Sequence, residues 1–245
     1  MSSYSLSSSD WPRFHLYILQ LEQEGLVTRT FRRLDPSRQE VIINAILDEA
    51  ALRGPASLNI KLVAQRAGIS VGSLYQYFID RDRMLSFAVE LCVRYVIEQF
   101  DQYRPYLAEM PLREALTAYL MGGIEWGRTQ TGFLQLFARA AYQGEQELAE
   151  KLVTPIAKYL LETVREMLAQ AQARGEIRPD VDLESMARII HALTIVIGDS
   201  QLLPYLNDYF QVTDPSLEPE RILQSLLDLV QNGIGAPPQR ETQPR

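Results

Sequence analysis

Apolar residues recur every three or four positions along most of the chain, and no stretch alternates apolar and polar residues as a half-buried strand does. This spacing predicts helices over residues 12–24, 38–53, 60–67, 71–77, 80–104, 111–129, 131–147, 150–174, 182–202 and 218–232. Glycine or proline ends several of these stretches, as at Gly25 and Pro105. Ser37 and Glu40 have the spacing of a capping box, which predicts that Ser37 caps the second helix. The hydrophobic pattern therefore predicts an all-α fold.

Two of the predicted helices are short and are joined by Gly68-Ile69-Ser70. Gly68 can adopt the positive φ that turns the chain, and Ser70 is a good N-cap for the next helix. Small residues on the first helix let the two helices cross closely: Val63, Ala64 and Ala67. The second helix carries outward residues whose shapes suit base edges and phosphates: Val71, Ser73, Gln76 and Tyr77. This pattern is typical of a helix-turn-helix that enters the major groove of DNA.

The formal net charge of −7 is unusual for a nucleic-acid-binding protein until the charge is divided by region. Residues 29–83 contain nine Lys and Arg and six Asp and Glu, a balance of +3, and all other residues together carry −10. Although most charges only solvate a surface, this asymmetry fits a small basic head on an acidic body.

The chain is poor in residues that bind metals or form disulfides. Cys92 is the single cysteine, which excludes an internal disulfide, and His15 and His191 lie far apart in the sequence. Neither a glycine-rich phosphate loop nor a nucleophile motif is present, so we expect no enzyme activity, no metal and no cofactor. No apolar run reaches the roughly 18 residues of a membrane span, and Met1–Asp10 is not a secretory signal. We therefore expect a cytoplasmic protein with no membrane partner.

A longer motif surrounds the helix-turn-helix. The chain reads Val63-Ala64-Gln65-Arg66-Ala67-Gly68-Ile69-Ser70, then Gly72-Ser73-Leu74-Tyr75-Gln76-Tyr77-Phe78, and then Arg81. This succession resembles the TetR family of transcriptional regulators, and the resemblance extends over about Gln39 to Leu85. It implies that residues 70–77 form the recognition helix. The implied DNA-binding residues are Asn59, Ser70, Val71, Gly72, Ser73, Tyr75, Gln76, Tyr77 and Arg81.

The resemblance divides these residues by role. Asn59, Tyr75, Tyr77 and Arg81 are implied to contact phosphates, whereas Ser73 and Gln76 are implied to read bases. By contrast, Leu74 and Phe78 are expected in the core, where they hold the recognition helix to its neighbours.

The chain departs from the family pattern in three places. Val71 stands where many members have a basic or polar residue, and Ala50 stands where a bulky aromatic is usual. The extension before Asp35 is also long for the family. Three of its basic residues, Arg29, Arg32 and Arg33, form either a DNA-contacting arm or an ordinary solvated run.

The resemblance implies an N-terminal three-helix DNA-binding head and a C-terminal helical ligand-binding and dimerisation domain. We assign residues 35–84 to the head, 85–235 to the effector-binding and dimerisation domain, and 236–245 to a flexible tail. Residues 1–34 form an N-terminal extension that is expected to be partly disordered and to contain one short helix.

The predicted helices near 182–202 and 218–232 are apolar on more than one side, which favours burial against a second surface. The resemblance implies that they pair with their symmetry mates in a homodimer. A twofold dimer presents two recognition helices about one DNA turn apart, roughly 34–36 Å. The expected partner is therefore double-stranded DNA carrying a palindromic operator.

The resemblance also implies a pocket for a small-molecule effector of unknown chemical class. Candidate lining residues are Trp126, Phe133, Phe137, Arg139, Tyr142 and His191. The competing interpretation is that the aromatic residues and the histidine are ordinary core.

We predict a repressor that the effector releases from DNA. The alternative is a DNA-binding protein of this family whose body recruits a protein partner, as an activator or accessory factor, without a ligand.

Overall fold

The structure is a computed structural model that describes residues 11–54, 57–214 and 216–235. Within these residues the regular secondary structure is helical, apart from one isolated antiparallel bridge between Ile177 and Gly235, so the predicted all-α fold is confirmed. The predicted disorder of the first residues and the predicted tail at 236–245 concern residues outside this description. None of the described helices combines the length and the apolar composition that a membrane span requires.

The described helices range from 3 to 21 residues in length. In chain order they are α1 (Trp11–Gln23), α2 (Arg29–Arg32), α3 (Pro36–Arg53), α4 (Ile60–Ala67), α5 (Val71–Phe78), α6 (Arg81–Asp101), α7 (Arg104–Glu109), α8 (Leu112–Thr129), α9 (Thr131–Tyr142), α10 (Gln146–Leu148), α11 (Thr154–Ala173), α12 (Leu183–Leu202), α13 (Pro204–Phe210) and α14 (Pro219–Ile234). A π-helical turn over Ala149–Val153 joins α10 to α11.

Helix α3 starts at a different cap from the predicted one. Its N-cap is Asp35, whose carboxylate accepts a hydrogen bond from the Arg38 N–H at 3.0 Å and another from the Ser37 hydroxyl. The predicted capping box at Ser37 and Glu40 is therefore wrong. Pro36 occupies the first helical position, where its missing N–H has no cost, and this makes the preceding aspartate the cap.

Three short helices, α2, α7 and α13, are absent from the predicted set. Each has four to seven residues, which is too few to show a hydrophobic period. Helix α6 ends at Asp101, and Pro105 lies in the first turn of α7 instead of ending a longer helix. The helix predicted over 131–147 stops at Tyr142, before a turn in which Gly144 has a φ of +73°.

The described chain divides into two compact units. The first contains the residues up to Phe100 together with Gly127–Ala157. The N-terminal extension belongs to the core of this unit, because three apolar side chains of α1 are fully buried: Phe14, Ile18 and Leu21. The ring of Phe14 stacks on that of Tyr95 in α6, with 5.0 Å between the centroids.

Helix α2 adds a second aromatic contact to this core. The Phe31 side chain is completely buried, and its ring centroid lies 5.9, 5.1 and 5.2 Å from those of Tyr77, Phe78 and Phe87. Tilted and edge-on ring pairs at these distances are favourable. The extension therefore packs directly against the last turn of α5.

The second unit contains Asp101–Trp126 and the described residues from Lys158 onward. Its core is formed by leucine, isoleucine, valine and alanine side chains of α8, α11, α12 and α14, among them Leu116, Leu168, Ile190 and Leu227. Arg174, in the turn after α11, donates hydrogen bonds to the carbonyls of Ala108 and Met110 at 2.8 and 2.7 Å. These bonds connect the turn to the end of α7.

Candidate DNA-binding surface

The helix-turn-helix is formed by α4, a three-residue turn and α5, and each helix has a side-chain cap. The Asn59 side chain accepts a hydrogen bond from the Lys61 N–H at 3.0 Å, and the Ser70 hydroxyl accepts one from the Ser73 N–H at 3.0 Å. Gly68 ends α4 with a φ of +62°, in the left-handed region that glycine adopts without strain. These local interactions fix where α5 begins.

The inner face of α5 holds the helix on the first unit. Leu74 and Phe78 are 2% and 1% exposed, which confirms the prediction that they belong to the core. Small residues of α4 are also buried: Val63, Ala64 and Ala67. Close crossing of the two helices is therefore achieved by the residues that the sequence pattern indicates.

The outer face of α5 is accessible. Tyr75 is 49% exposed, and Gln76, Gly72 and Ser70 are also exposed. Three further residues of this face are partly buried: Val71, Ser73 and Tyr77. The Ser73 hydroxyl lies 2.8 Å from that of Ser70, so the two hydroxyls share a hydrogen bond at the start of the helix. Seven of the nine predicted DNA-binding residues thus lie on one short segment that begins at Ser70.

The other two predicted residues already have partners within the protein. The Asn59 side chain is the cap of α4, and the Nε–H of Arg81 donates a hydrogen bond to the carbonyl of Leu58 at 3.2 Å. Nη1 of Arg81 lies 3.5 Å from a carboxylate oxygen of Asp82, and about a third of the arginine side chain is exposed. Arg81 therefore links the start of α6 to the segment before α4.

The far end of α5 is held by a residue that the sequence did not indicate. The backbone N–H of Thr28 donates to the carbonyl of Tyr77 at 2.8 Å, and its hydroxyl donates to the carbonyl of Gln76 at 2.8 Å. Carbonyls in the last turn of a helix have no partner within the helix. Thr28 therefore satisfies two of these groups and joins the extension to the recognition helix.

Helix α3 supports the turn between the two helices. Nη2 of Arg38 donates to the carbonyl of Gly68 at 3.0 Å. The carboxylate of Glu49 is fully buried, and its oxygens lie 2.9 Å from Nε of Arg53 and 3.5 Å from Nη2 of Arg66. Neither contact has hydrogen-bond geometry, so both are ion pairs, and the second one connects α3 to α4.

The six predicted effector residues fall in both units. Four of them lie on α9 in the first unit, namely Phe133, Phe137, Arg139 and Tyr142, whereas Trp126 and His191 lie on α8 and α12 in the second. Phe133 is buried and stacks on Tyr95 with 5.9 Å between the ring centroids, and Tyr142 is 43% exposed. Burial lowers the pKa of His191, and within the described residues its Nδ1 has no hydrogen-bond partner.

Arg139 has a structural role that its predicted place in a pocket did not anticipate. Nη1 donates to the carbonyls of Ala51 and Leu52 at 3.3 and 3.2 Å, so the guanidinium caps the carboxyl end of α3. Nη2 lies 3.6 Å from a carboxylate oxygen of Glu145. Gly54 makes room for this contact, because a Cβ there would lie 3.0 Å from Nη2 of Arg139.

Two short, capped helices joined by a tight turn, with one face of the second helix exposed, are typical of helix-turn-helix proteins. Comparison with known families agrees with this class. The family described as bacterial regulatory proteins, tetR family, matches residues 42–86, and the tetracyclin repressor-like C-terminal domain matches residues 110–196. The two matches together span more than half of the chain. The chain belongs to the TetR family of transcriptional regulators, as the motif resemblance predicts.

Individual relatives are similar over different lengths. The HTH-type transcriptional regulator BetI of Stenotrophomonas maltophilia is 29% identical over 92 residues, which are 38% of this chain and 46% of BetI. The match thus spans about half the length of that relative. The matched families and this relative are transcriptional regulators and not enzymes.

Solved structures share the fold. A TetR family transcriptional regulator from Chloroflexus aurantiacus J-10-FL is 20% identical with a TM-score of 0.59, and the match covers 86% of this chain and 99% of that one. The transcriptional regulator FadR of Bacillus subtilis, solved in complex with stearoyl-CoA, is 20% identical with a TM-score of 0.57 and is matched over 80% of this chain and 98% of its own.

Proposed function

We propose that this protein is a repressor that binds a palindromic operator as a homodimer and leaves the DNA when a small-molecule effector binds. The observation that carries the proposal is the accessible face of α5, on which Tyr75 and Gln76 are exposed while Leu74 and Phe78 are buried. A helix fixed by caps at both ends can present these side chains to a major groove without reordering.

Contacts with DNA divide by chemistry. The phenol of Tyr75 and the guanidinium of Arg81, whose side chain is about one-third exposed, suit phosphate oxygens, and these contacts carry no sequence information. The amide of Gln76 can donate and accept at one base edge, so it contributes base preference. Ser73 and Tyr77 keep the same proposed roles, although each is partly covered within the protein.

Homodimerisation is proposed through α12 and α14. The buried side of α12 includes Ala187, Ile190 and Ile197, while Ile189 on the other side is 52% exposed. In α14, Leu229 is 64% exposed although its neighbour Leu227 is buried. Exposed branched residues on two helices that share one core are suited to the symmetry-related helices of a second copy. Such a dimer supplies the two recognition helices that a palindrome requires.

The effector is proposed to bind in the helical body. FadR of Bacillus subtilis, which shares the fold, was solved with stearoyl-CoA, and this supports small-molecule binding as a property of the architecture. In the second unit, the unsatisfied Nδ1 of His191 is a candidate for hydrogen bonding to a ligand, and burial favours its neutral form. Effector binding then favours a dimer conformation whose recognition helices no longer match successive major grooves.

One observation favours the alternative in which the body recruits a protein. Tyr205 and Tyr209 on α13 are 57% and 80% exposed, and Tyr209 packs edge-on against Phe210. Exposed aromatic residues are enriched at protein interfaces. A partner that binds this helix would make the protein an activator or an accessory factor with the same DNA-binding head.

The experiment that tests the function is selection of binding sites from a random DNA pool, followed by affinity measurements against salt concentration. We expect an inverted repeat to be enriched and affinity to fall steeply as salt rises. The Tyr75→Ala variant should weaken binding to all sequences, whereas Gln76→Ala should mainly change base preference, by about 1–3 kcal/mol at one position. Tyr209→Ala, an exposed tyrosine of the second unit, is the matched control and should bind as the parent protein does. Unchanged DNA affinity of Tyr75→Ala would show that the recognition helix is misplaced.

A further inference from the structure

The segment from Thr28 to Arg33 lies beside the recognition helix and is held there from two sides. On one side, Thr28 donates its two hydrogen bonds to the carbonyls of Gln76 and Tyr77. On the other, the amide of Gln39, which is 2% exposed, donates to the carbonyls of Phe31 and Arg32 at 3.1 Å each. The segment is therefore fixed in position relative to α5.

The three arginines of this segment differ in their surroundings. Arg32 forms an ion pair with Glu22, and each of these two side chains is 22% exposed. Arg29 and Arg33 are exposed, and within the described residues neither forms an ion pair. The Arg33 N–H donates to the Arg29 carbonyl at 3.1 Å, which places the two residues one helical turn apart on the same side of α2.

Arg29 lies next to the end of α5, because it directly follows Thr28, and Arg33 lies one helical turn further along the chain. Thr28 is hydrogen-bonded to the carbonyls of Gln76 and Tyr77, and consecutive Cα atoms are about 3.8 Å apart. The Arg29 side chain is longer than this distance and is exposed to solvent. Phosphates of a duplex that receives Tyr75 and Gln76 would pass within reach of such a cation, because charged phosphates border both sides of the groove.

We propose that Arg29 and Arg33 form a second DNA-backbone contact outside the helix-turn-helix, on phosphates that flank the groove entered by α5. This inference rests on the proposed function. The ion pair with Glu22 excludes Arg32 from the contact, since its charge is already compensated. The contact adds affinity and salt dependence but no base preference, because phosphates are the same at every sequence.

The test measures fluorescence anisotropy of a labelled duplex that carries the selected operator, over a series of KCl concentrations, with the full chain. For the double variant Arg29→Ala/Arg33→Ala we expect the slope of log affinity against log salt to become shallower by about 1.8, at about 0.9 for each lost phosphate contact. Between 50 and 200 mM KCl, the parent protein should then lose about tenfold more affinity than the variant. The selected operator should be the same for both proteins.

Two controls separate charge from other effects. The Arg29→Lys/Arg33→Lys variant retains both cations and should retain the parent slope. The Lys158→Ala variant removes an exposed cation of the second unit and should also leave the slope unchanged. Circular dichroism checks that every variant is folded, and an Arg29→Gln/Arg33→Gln pair, which keeps longer side chains, repeats the measurement if the alanine variant melts early.

The outcomes distinguish this inference from the proposed function. If the parent protein binds the operator and the alanine variant has the same slope, the second contact does not exist. If the lysine variant loses as much slope as the alanine variant, the arginines act through packing and the proposal is overturned. If the parent protein binds no duplex at any salt concentration, the proposed function itself fails.

Discussion

Replacement of Phe31 by alanine tests whether the N-terminal extension is a structural part of the DNA-binding unit. The Phe31 ring is completely buried and contacts three other rings, two of which, Tyr77 and Phe78, belong to the recognition helix. The alanine variant leaves a cavity the size of a phenyl ring between α2, α5 and α6. A core of this density closes such a cavity only in part.

The magnitude follows from the burial. Replacing a fully buried phenylalanine with alanine lowers the free energy of unfolding by about 3–5 kcal/mol, and this figure includes the lost ring contacts. For a chain of this size each 1 kcal/mol lowers the melting temperature by about 2–4 °C, so the first unit should melt about 6–20 °C earlier. DNA affinity should fall as well, because Tyr77 loses a ring against which it packs.

The assay is urea unfolding followed by far-ultraviolet circular dichroism at fixed protein concentration, since association would otherwise shift the midpoint. Leu16→Ala is the matched control: Leu16 lies on α1 of the same extension but is 58% exposed, so its loss should change stability by less than about 0.5 kcal/mol. A loss below about 1 kcal/mol for Phe31→Ala would show that the ring is not part of a close-packed core, because removing a buried ring from such a core costs several times more.

Three further predictions follow from single positions. Gly54→Ala should lower the free energy of unfolding by more than about 1 kcal/mol in urea, because the φ of Gly54 is +79° and a Cβ there would lie 2.5 Å from a glutamate oxygen. Gly122→Ala is the control: Gly122 has open space around it, so this variant should be neutral or stabilising. Cys92 is buried and burial raises the pKa of its thiol, so a thiol-reactive dye should label it slowly in the native protein and rapidly in urea; fast native labelling would contradict this. The hydrogen bond from Ser37 lowers the pKa of the Asp35 carboxyl, so its cap stabilises the fold above the ordinary pKa of 3.8 and the effect is lost as pH falls through the lower folded value. Asp35→Ala should therefore lower the melting temperature at pH 7 and approach the parent protein at low pH, and an equal difference at both pH values would be evidence against this role.

The DNA-binding motif was predictable because its signals act within one or two helical turns. The glycine at the end of α4 and the Ser70 cap at the start of α5 act on backbone groups three or four residues away, so residue type and spacing suffice to place them. The same local pattern predicted that Leu74 and Phe78 are buried. Local reasoning was wrong at the start of α3, where Asp35 and Ser37 could both cap the helix. Pro36 between them occupies the first helical position, which makes Asp35 the cap.

Contacts between segments that are distant in the sequence depend on how the helices pack. Thr28 reaches a carbonyl 48 residues later in the sequence, and Arg139 reaches a carbonyl 88 residues earlier. A threonine or an arginine has the same local pattern whether it is solvated or bonded, so the sequence could not tell that the first holds the recognition helix or that the second caps α3. Which of three neighbouring arginines is neutralised also depends on where Glu22 lies after α1 has packed. Hydrophobic spacing and backbone chemistry were enough to predict the longer helices and the motif. Packing determined which polar groups meet, because those contacts form only when buried apolar faces bring distant segments together.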